Sequence, residues 1–177
     1  MKTRSVFGLL AVLALFLGAF VLQPASSASA DSLTILKFDT MVGVNRSYTG
    51  TNLLSRGVLG AGAPWVVGGV EGKLTASGKL EVQVSGLVLD PNDPALIAAG
   101  RAGTNPISTF RAVVSCQTAS GGVVNVMTDP FPATLGAASA GGGNSNIEAR
   151  LVLPKPCFAP LVFVTSPGGA WFAVTGN

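Results

Sequence analysis

The side chains best suited to catalysis in this sequence are eight carboxylates, and no histidine accompanies them. Without histidine, the usual general base of serine and cysteine hydrolases and the commonest metal ligand are both missing. A glycosidase needs only two carboxylates that face each other across a cleft, so a carboxylate-dependent hydrolase is the catalytic alternative that stays open. The acidic residues are Asp31, Asp39, Glu71, Glu81, Asp90, Asp93, Asp129 and Glu148.

Three of these acids alternate with apolar residues in a period of two. Glu71, Glu81 and Glu148 therefore fall on the outward faces of predicted strands, and Lys73 and Lys79 lie close to the first two. Solvated cross-strand ion pairs explain them without a catalytic site. An acid beside a lysine stays ionised and is a poor proton donor at neutral pH. The pattern favours structural ion pairs, and the sequence assigns no catalytic residue.

The densest group of oxygen ligands is the run from Asp90 to Pro94, which reads Asp-Pro-Asn-Asp-Pro. Extracellular modules bind calcium through such loops, but this run lacks the 12-residue spacing and terminal glutamate of an EF-hand. Prolines after acidic residues suit a turn closed by an aspartate side chain equally well. The sequence favours the turn, with calcium as the alternative, and predicts neither a metal site nor a cofactor.

Aromatic side chains are the residues that a sugar-binding or partner-binding face would use, because their rings stack on apolar surfaces. Trp65, between Pro64 and Val66 at the beginning of a predicted strand, is the candidate for ligand contact at the surface. Trp171 follows a turn beside Phe172, and a place in the core suits it at least as well. Tyr48 is a third candidate. The nearby sequon at Asn45 would be glycosylated only in a eukaryotic secretory pathway.

Two cysteines, Cys116 and Cys157, are 41 residues apart in the chain. An even pair in an exported protein indicates a disulfide bond. A metal site needs three or four ligands, and two thiolates cannot complete one in a chain without histidine. The sequence therefore predicts a disulfide rather than a metal centre or a nucleophile.

Alternation of apolar and polar residues dominates the chain and predicts about eight strands. The clearest hairpin joins residues 70–76 to residues 79–89 through Gly78. In the run from Thr109 to Gln117, the cysteine falls on the same face as Phe110, Ala112 and Val114. The other predicted strands are 33–39, 123–128, 147–153, 161–165 and 170–175.

Helical signals are confined to residues 93–100, where an acid, a proline and a closing glycine predict one helical turn. Two segments are predicted as loops. Residues 49–63 are polar and rich in glycine, and residues 136–146 are so low in complexity that we expect them to be mobile.

The first 30 residues have the composition of a signal peptide. Lys2 and Arg4 precede an uncharged apolar run that ends before Pro24, and Ala28-Ser29-Ala30 fits a signal peptidase. An uncleaved membrane anchor is the alternative, because 17 apolar residues are at the lower limit for spanning a membrane. We expect a secreted protein that begins at Asp31, without a membrane span after the signal is removed.

The remaining 147 residues, 31–177, are predicted to form a single domain. Their formal net charge is only +1, and their lysines and arginines are scattered. Nucleic-acid binding needs clustered basic residues, so the composition does not support it. Only 17 of the 147 residues are charged, well under the average of about a quarter. A surface so poor in charge favours contact with partners, a cell-surface polymer or other copies of the chain.

Three stretches carry a resemblance: residues 72–87 (GKLTASGKLEVQVSGL), 103–116 (GTNPISTFRAVVSC) and 159–176 (APLVFVTSPGGAWFAVTG). They are similar to a group of small exported bacterial β-domain proteins, to which we attach no activity. The first stretch also resembles the CHRD (chordin-type) β-domain in its G-x-L and V-x-V-x-G-L strands. CHRD domains carry histidines further along, and this chain has none. The resemblance implies a β fold and export, and it transfers no site.

Together these features predict an all-β protein, an antiparallel β-sandwich of about eight strands with one disulfide, with a closed β-barrel as the alternative. The expected function is that of a secreted, non-enzymatic binding or assembly domain, and the alternative is the carboxylate-dependent hydrolase. A concave pocket holding two of the acids within about 10 Å would favour the hydrolase. A flat aromatic patch around Trp65 would favour binding.

Overall fold

The computed structural model describes residues 33–50 and 56–175. The predicted signal peptide and its cleavage before Asp31 lie outside the described residues. Within these two ranges, the structure contains no helix that is both long and apolar enough to cross a membrane.

The described chain consists mostly of antiparallel strands that form two principal sheets. The strands are β1 (Thr34–Phe38), β2 (Met41–Gly43), β3 (Trp65–Val66), β4 (Gly69–Thr75), β5 (Lys79–Ser85), β6 (Val88–Leu89), β7 (Thr104–Asn105), β8 (Thr109–Gln117), β9 (Val123–Met127), β10 (Phe131–Pro132), β11 (Gly136–Ala137), β12 (Ser145–Arg150), β13 (Phe158–Thr165) and β14 (Trp171–Thr175). One α-helix, α1 (Pro94–Ala98), and two 3-10 turns, Arg46–Tyr48 and Ala138–Ala140, complete the set.

The first sheet, which we call the A sheet, has the order β1-β4-β5-β12. The predicted hairpin forms its centre, with Leu74 opposite Leu80 and Gly72 opposite Val82. Its inner face carries Leu74, Leu80, Val82 and Ile147, all fully buried. The alternation in the sequence thus places the apolar residues on the inner face and the charged residues on the outer face.

The second sheet, the B sheet, has the order β10-β8-β13-β14-β2, and β9 also pairs with β8. Strand β8 is the longest strand, and three other strands bond to it. The two sheets pack their inner faces into one core, and they do not close into a barrel. The predicted all-β antiparallel sandwich is therefore confirmed, and the barrel alternative is not.

The disulfide is also confirmed: Cys116 in β8 bonds to Cys157, which directly precedes β13. Cys116 is fully buried on the core face with Phe110, Ala112 and Val114, as the alternation predicts. The bond ties the end of β8 to the beginning of its neighbour β13 and closes the long excursion through β9 to β12.

The other face of β8 is covered as well, which the sequence pattern does not predict. Val113 and Ser115, which alternate with the core residues, are 2% and 0% exposed. Residues 56–61 run across this outer face, and Gly60 forms a parallel bridge with Trp171. We call residues 56–61 the covering segment. Because both faces are covered, β8 carries the apolar Val113 at an outward position as well as Ala112 and Val114 at inward positions.

The predicted helical turn is confirmed as α1, with the Asp93 side chain accepting hydrogen bonds from the amides of Ala95 and Leu96. Residues 79–89 form two strands rather than one, because Gly86 turns the chain with φ +59° between β5 and β6. Residues 151–153 fall outside β12, which ends at Arg150. The strands of two or three residues are too short to show a period, so the sequence does not predict them.

The expectation that residues 136–146 form an irregular loop with little to pack is wrong, because they form β11, a 3-10 turn and the first two residues of β12. Gly142 and Gly143 are buried, and their amides donate hydrogen bonds to the carbonyls of Ala137 and Thr134. An added Cβ at Gly143 would lie 2.2 Å from the carbonyl oxygen of Leu87. Glycine is needed here because two backbone segments approach each other closely. Low sequence complexity alone does not show whether glycines allow such packing or give flexibility.

We expect the double variant Cys116→Ala, Cys157→Ala to lower the free energy of unfolding by about 2–5 kcal/mol, because the open loop gains entropy in the unfolded chain. Denaturant titration measures the change. Reductant should lower the midpoint of the wild-type protein and leave that of the double variant unchanged. Two free thiols in the native protein would contradict the pairing.

Two glycines of the 136–146 loop test its packing. Both have positive φ, +97° at Gly136 and +78° at Gly143, but an added Cβ meets nothing within 4 Å at Gly136. We expect Gly136→Ala to cost about 1–2 kcal/mol for the left-handed backbone, and Gly143→Ala to cost about 2–5 kcal/mol because the collision with Leu87 is added. Equal losses in thermal or denaturant unfolding would show that the loop is not packed as described.

Candidate functional site

The outer face of the A sheet forms a shallow groove lined by polar side chains. Its two adjoining cavities have volumes of about 690 and 410 Å³. Side chains of all four strands contribute, because outward residues of neighbouring strands lie side by side. We call this surface the polar groove; its outward side chains are Lys37, Asp39, Glu71, Lys73, Glu81, Gln83, Ser85, Asn144, Asn146 and Glu148.

A row of charged residues crosses the groove from β1 to β12. In the register of the sheet, Lys37 lies opposite Lys73, Lys73 opposite Glu81, and Glu81 opposite Glu148. Glu81 Oε1 is 2.5 Å from Lys79 Nζ, and its Oε2 is 3.4 Å from Lys73 Nζ. The hydrogen bonds from these lysines hold the pKa of the Glu81 carboxyl below its usual value. The predicted ion pairs are therefore confirmed for Glu81, whereas Glu71 and Glu148 form no ion pair among the described residues.

The next row is rich in amides and acids whose polar atoms have few partners. Glu71 lies opposite Gln83, and Gln83 lies opposite Asn146. Asp39, Glu71 and Gln83 are exposed, and among the described residues their side chains make no hydrogen bond or ion pair. Asn146 Nδ2 donates to Glu148 Oε1 at 3.1 Å. This row offers both donors and acceptors to a ligand.

The end of the groove is built more rigidly. The Asn144 side chain accepts a hydrogen bond from the amide of Gly86 at 3.0 Å, and Ser85 Oγ donates to the carbonyl of Gly69 at 3.2 Å. Asn144 directly follows the buried glycines of the 136–146 loop, so the packing of that loop fixes its position. Sequence reasoning did not identify Gln83, Asn144 or Asn146 as site residues. The outward positions of Gln83 and Asn146 on paired strands were the available signal, whereas Asn144 precedes β12 and has no such signal.

The groove also holds the carboxylates on which the hydrolase alternative depends. Glu81 and Glu148 occupy directly opposed positions of β5 and β12, and side chains at such positions have their Cβ atoms about 4.5–5.5 Å apart. Glu71 lines the same cavity. A general acid needs a raised pKa, however, and the pKa of Glu81 is lowered by its two lysines. The placement meets the geometric condition for a hydrolase, but the electrostatics at Glu81 oppose the role of proton donor.

The prediction that Trp65 lies at the surface is wrong. Trp65 is only 4% exposed, and its indole stacks on the Phe172 ring at a centroid distance of 4.0 Å. The amide of Trp65 donates to the carbonyl of Val44, and β3 pairs with β6. The ring therefore belongs to the hydrophobic core and offers no exposed aromatic surface to a ligand.

The other aromatic and sequon residues have separate places. Trp171 is 2% exposed and packs against Phe163, which confirms its place in the core. Tyr48 is 41% exposed and has its ring centroid 6.5 Å from that of Trp171. Asn45 is exposed, and its Oδ1 accepts a hydrogen bond from the amide of Ser47. None of these residues lines the polar groove.

The acidic run from Asp90 to Asp93 forms the predicted turn. Asp90 Oδ1 accepts from the amide of Asn92 at 2.9 Å. Asp93 caps α1 and pairs with the Arg46 guanidinium, which holds the pKa of the Asp93 carboxyl below its usual value. In residues 33–50 and 56–175, no group of three or more acidic or cysteine side chains is placed to hold a metal ion. The carboxylates of this loop serve the turn and the helix cap.

Comparisons with family models, with curated proteins and with solved structures find no match for this chain. The resemblance to exported bacterial β-domain proteins therefore stays a prediction.

Asp93 provides a test of the turn. Its lowered pKa means that the ionised carboxylate stabilises the fold above the ordinary aspartate pKa of about 3.9, and that this contribution is lost as the pH falls through the lowered value. We expect Asp93→Asn to lower the midpoint of thermal unfolding at pH 7, and the difference from wild type to vanish in acid.

Asp90→Asn is the matched control, because an asparagine oxygen can still accept from the amide of Asn92. Its unfolding midpoint should stay close to that of the wild type at every pH. A loss in Asp93→Asn that is independent of pH would contradict the role of the ion pair. A large rise of the wild-type midpoint with added calcium would favour the calcium alternative instead.

Proposed function

We propose that the protein is an exported, non-enzymatic binding domain that recognises a hydroxyl-rich polymer, such as a cell-surface polysaccharide, through the polar groove. The observation that carries the proposal is the row of Asp39, Glu71 and Gln83, which are exposed in a concave surface without partners among the described residues. Amide and carboxylate groups donate to and accept from sugar hydroxyls. A groove across four strands suits an extended chain better than a compact ligand.

The charges of the groove restrict the class of ligand. Its four acids, Asp39, Glu71, Glu81 and Glu148, outnumber the three lysines of the charged row, Lys37, Lys73 and Lys79. At the end formed by the larger of the two cavities, the described lining residues include Asp39 and Glu71 and no lysine or arginine. This end repels sulfated or phosphorylated polymers, so neutral or amino-substituted polysaccharides fit best. Export is supported by the signal-like sequence, and the disulfide is compatible with an extracellular protein.

A non-enzymatic role is supported by the same electrostatics. The groove is open to water, and Glu81 is held in its ionised form by two lysines. Neither condition raises the pKa of a carboxylate toward neutrality, which a general acid requires. The opposed Glu81 and Glu148 make the hydrolase the second candidate, and the experiment below separates the two.

The test uses the folded protein and immobilised cellulose, mannan and chitin, with dextran sulfate as the acidic comparator. We expect binding to at least one neutral or amino polysaccharide, and weaker binding to dextran sulfate. In the triple variant Glu71→Gln, Gln83→Ala, Asn146→Ala, affinity should fall at least tenfold. Each hydrogen bond lost with the amides of Gln83 and Asn146 costs about 2- to 12-fold, and Glu71→Gln removes the charge that strengthens a third hydrogen bond.

Two exposed amides away from the groove, Asn92→Ala and Gln117→Ala, form the control variant and should bind like the wild type. If the triple variant binds as tightly as the wild type, the groove is not the binding site. Release of soluble sugar that is lost in Glu148→Gln would overturn the non-enzymatic proposal and establish the hydrolase.

A further inference from the structure

Strand β9 forms an open edge of the B sheet. Its five residues pair with β8 on one side, from Val123 opposite Gln117 to Met127 opposite Val113. Among the residues that the structure describes, no strand pairs with its other side. Four of the five residues are exposed, and only Val126 is half-buried. The edge is therefore accessible to a further strand.

The hydrogen bonds at the two ends of β9 show which of its backbone groups face this edge. The amide of Thr118 donates to the carbonyl of Gly122, and the amide of Thr128 donates to the carbonyl of Ala112, both at 2.9 Å. Because hydrogen bonding alternates along an antiparallel pair, every second residue of β9, starting with Val124, bonds to β8. The other three residues direct their amides and carbonyls away from β8, and within the described ranges these groups have no backbone partner: Val123, Asn125 and Met127.

The side chains of β9 do not protect this edge. Natural sheets protect their outer strands with charged residues or proline, or by keeping the strands short. The outer strands of the A sheet carry Lys37 and Arg150, and β2, at the other end of the B sheet, has only three residues. Strand β9 has neither a charge nor a proline, and Val123, Val124 and Met127 are 41%, 38% and 40% exposed. Of these outer strands, β9 is the one best suited to pair with another chain.

The sequence of β9 is complementary to itself in an antiparallel pair. When a two-fold axis passes beside Asn125, Val123 lies opposite Met127 of a second copy, and Val124 lies opposite Val126 of that copy. Each valine and methionine then meets an apolar side chain, which is a favourable cross-strand contact. The same register brings the outward amides of one copy opposite the outward carbonyls of the other. One arrangement thus satisfies both the backbone groups and the apolar side chains.

The charges near β9 do not oppose this pairing. Asp129 is the first charged residue after the strand, and in the same register it lies beside Gly121 of the second copy. Residues 118–122, which precede the strand, carry no charge. Like charges are therefore not brought together along the edge, where they would be destabilising. A second copy of this chain fits the edge in its hydrogen bonds, its apolar contacts and its charge.

We infer that two copies of the chain associate through antiparallel pairing of their β9 strands, which joins their B sheets into one continuous sheet. The interface uses the same strand of both copies, so the assembly closes as a dimer. On the outer face of the joined sheet, Val123 packs against Met127 of the second copy. The polar groove lies on the A sheet, and no residue of β9 lines it. The dimer therefore carries two such grooves, and its test requires no polysaccharide.

Sedimentation equilibrium of the folded protein, from micromolar to millimolar concentration, measures the oligomeric state. We expect a reversible equilibrium between monomer and dimer. Val123→Lys should raise the dissociation constant about 2- to 30-fold, because the contact between valine and methionine is lost twice in a two-fold dimer. The matched control Val152→Lys changes a valine that is 91% exposed and lies outside the strands, so it should dimerise like the wild type.

Amide hydrogen exchange tests the register. Protection of the amides of Val123, Asn125 and Met127 should rise with protein concentration, whereas the amides of Val124 and Val126 bond to β8 and should be protected at every concentration. A protein that stays monomeric at millimolar concentration, or a dissociation constant that Val123→Lys leaves unchanged, would overturn the inference. Protection of the three outward amides at every concentration would also overturn it, because their partner would then belong to the same chain.

Discussion

Burial of β8 on both faces is the constraint on which the rest of this structure depends. Its inner face supplies Phe110, Ala112 and Val114 to the core between the sheets, and the disulfide from Cys116 fixes its end to β13. Its outer face needs a cover, which residues 56–61 provide. The covering segment thus occupies part of the outer face of the B sheet, whereas the outer face of the A sheet carries the polar groove.

The parts of the fold that sequence could predict are those in which a local pattern decides the outcome. The alternation of apolar and polar residues predicts the hairpin of β4 and β5, and the spacing of an acid, a proline and a glycine predicts α1. The cysteine pair fixes the disulfide. The burial of Trp65 and the packing of the 136–146 loop could not be predicted in this way, and both for the same reason. Whether a tryptophan is covered, or a glycine is packed against a distant backbone, depends on segments remote in sequence, here Phe172 and Leu87.

The candidate site, like the fold, could be predicted from the sequence only in part. The outward positions of Glu71, Glu81 and Glu148 follow from alternation, and so does their proximity to lysines. Their assembly into one groove does not, because it requires β12 to pair with β5 across more than 50 residues of intervening chain. The side-chain amides of Gln83 and Asn146 become neighbours only through that pairing. Alternation thus identified which side chains face outward, but not which of them share a surface.

The distribution of charge explains why the polar groove is the candidate site. Only 17 of the 147 residues that follow the predicted signal peptide are charged, and four of the carboxylates lie on the outer face of the A sheet. Glu81 is paired with two lysines and Asp93 with Arg46, so these two carboxylates stabilise the fold. Asp39 and Glu71 are exposed in the groove and have no partner among the described residues. These two acids are therefore the ones that are available to a ligand.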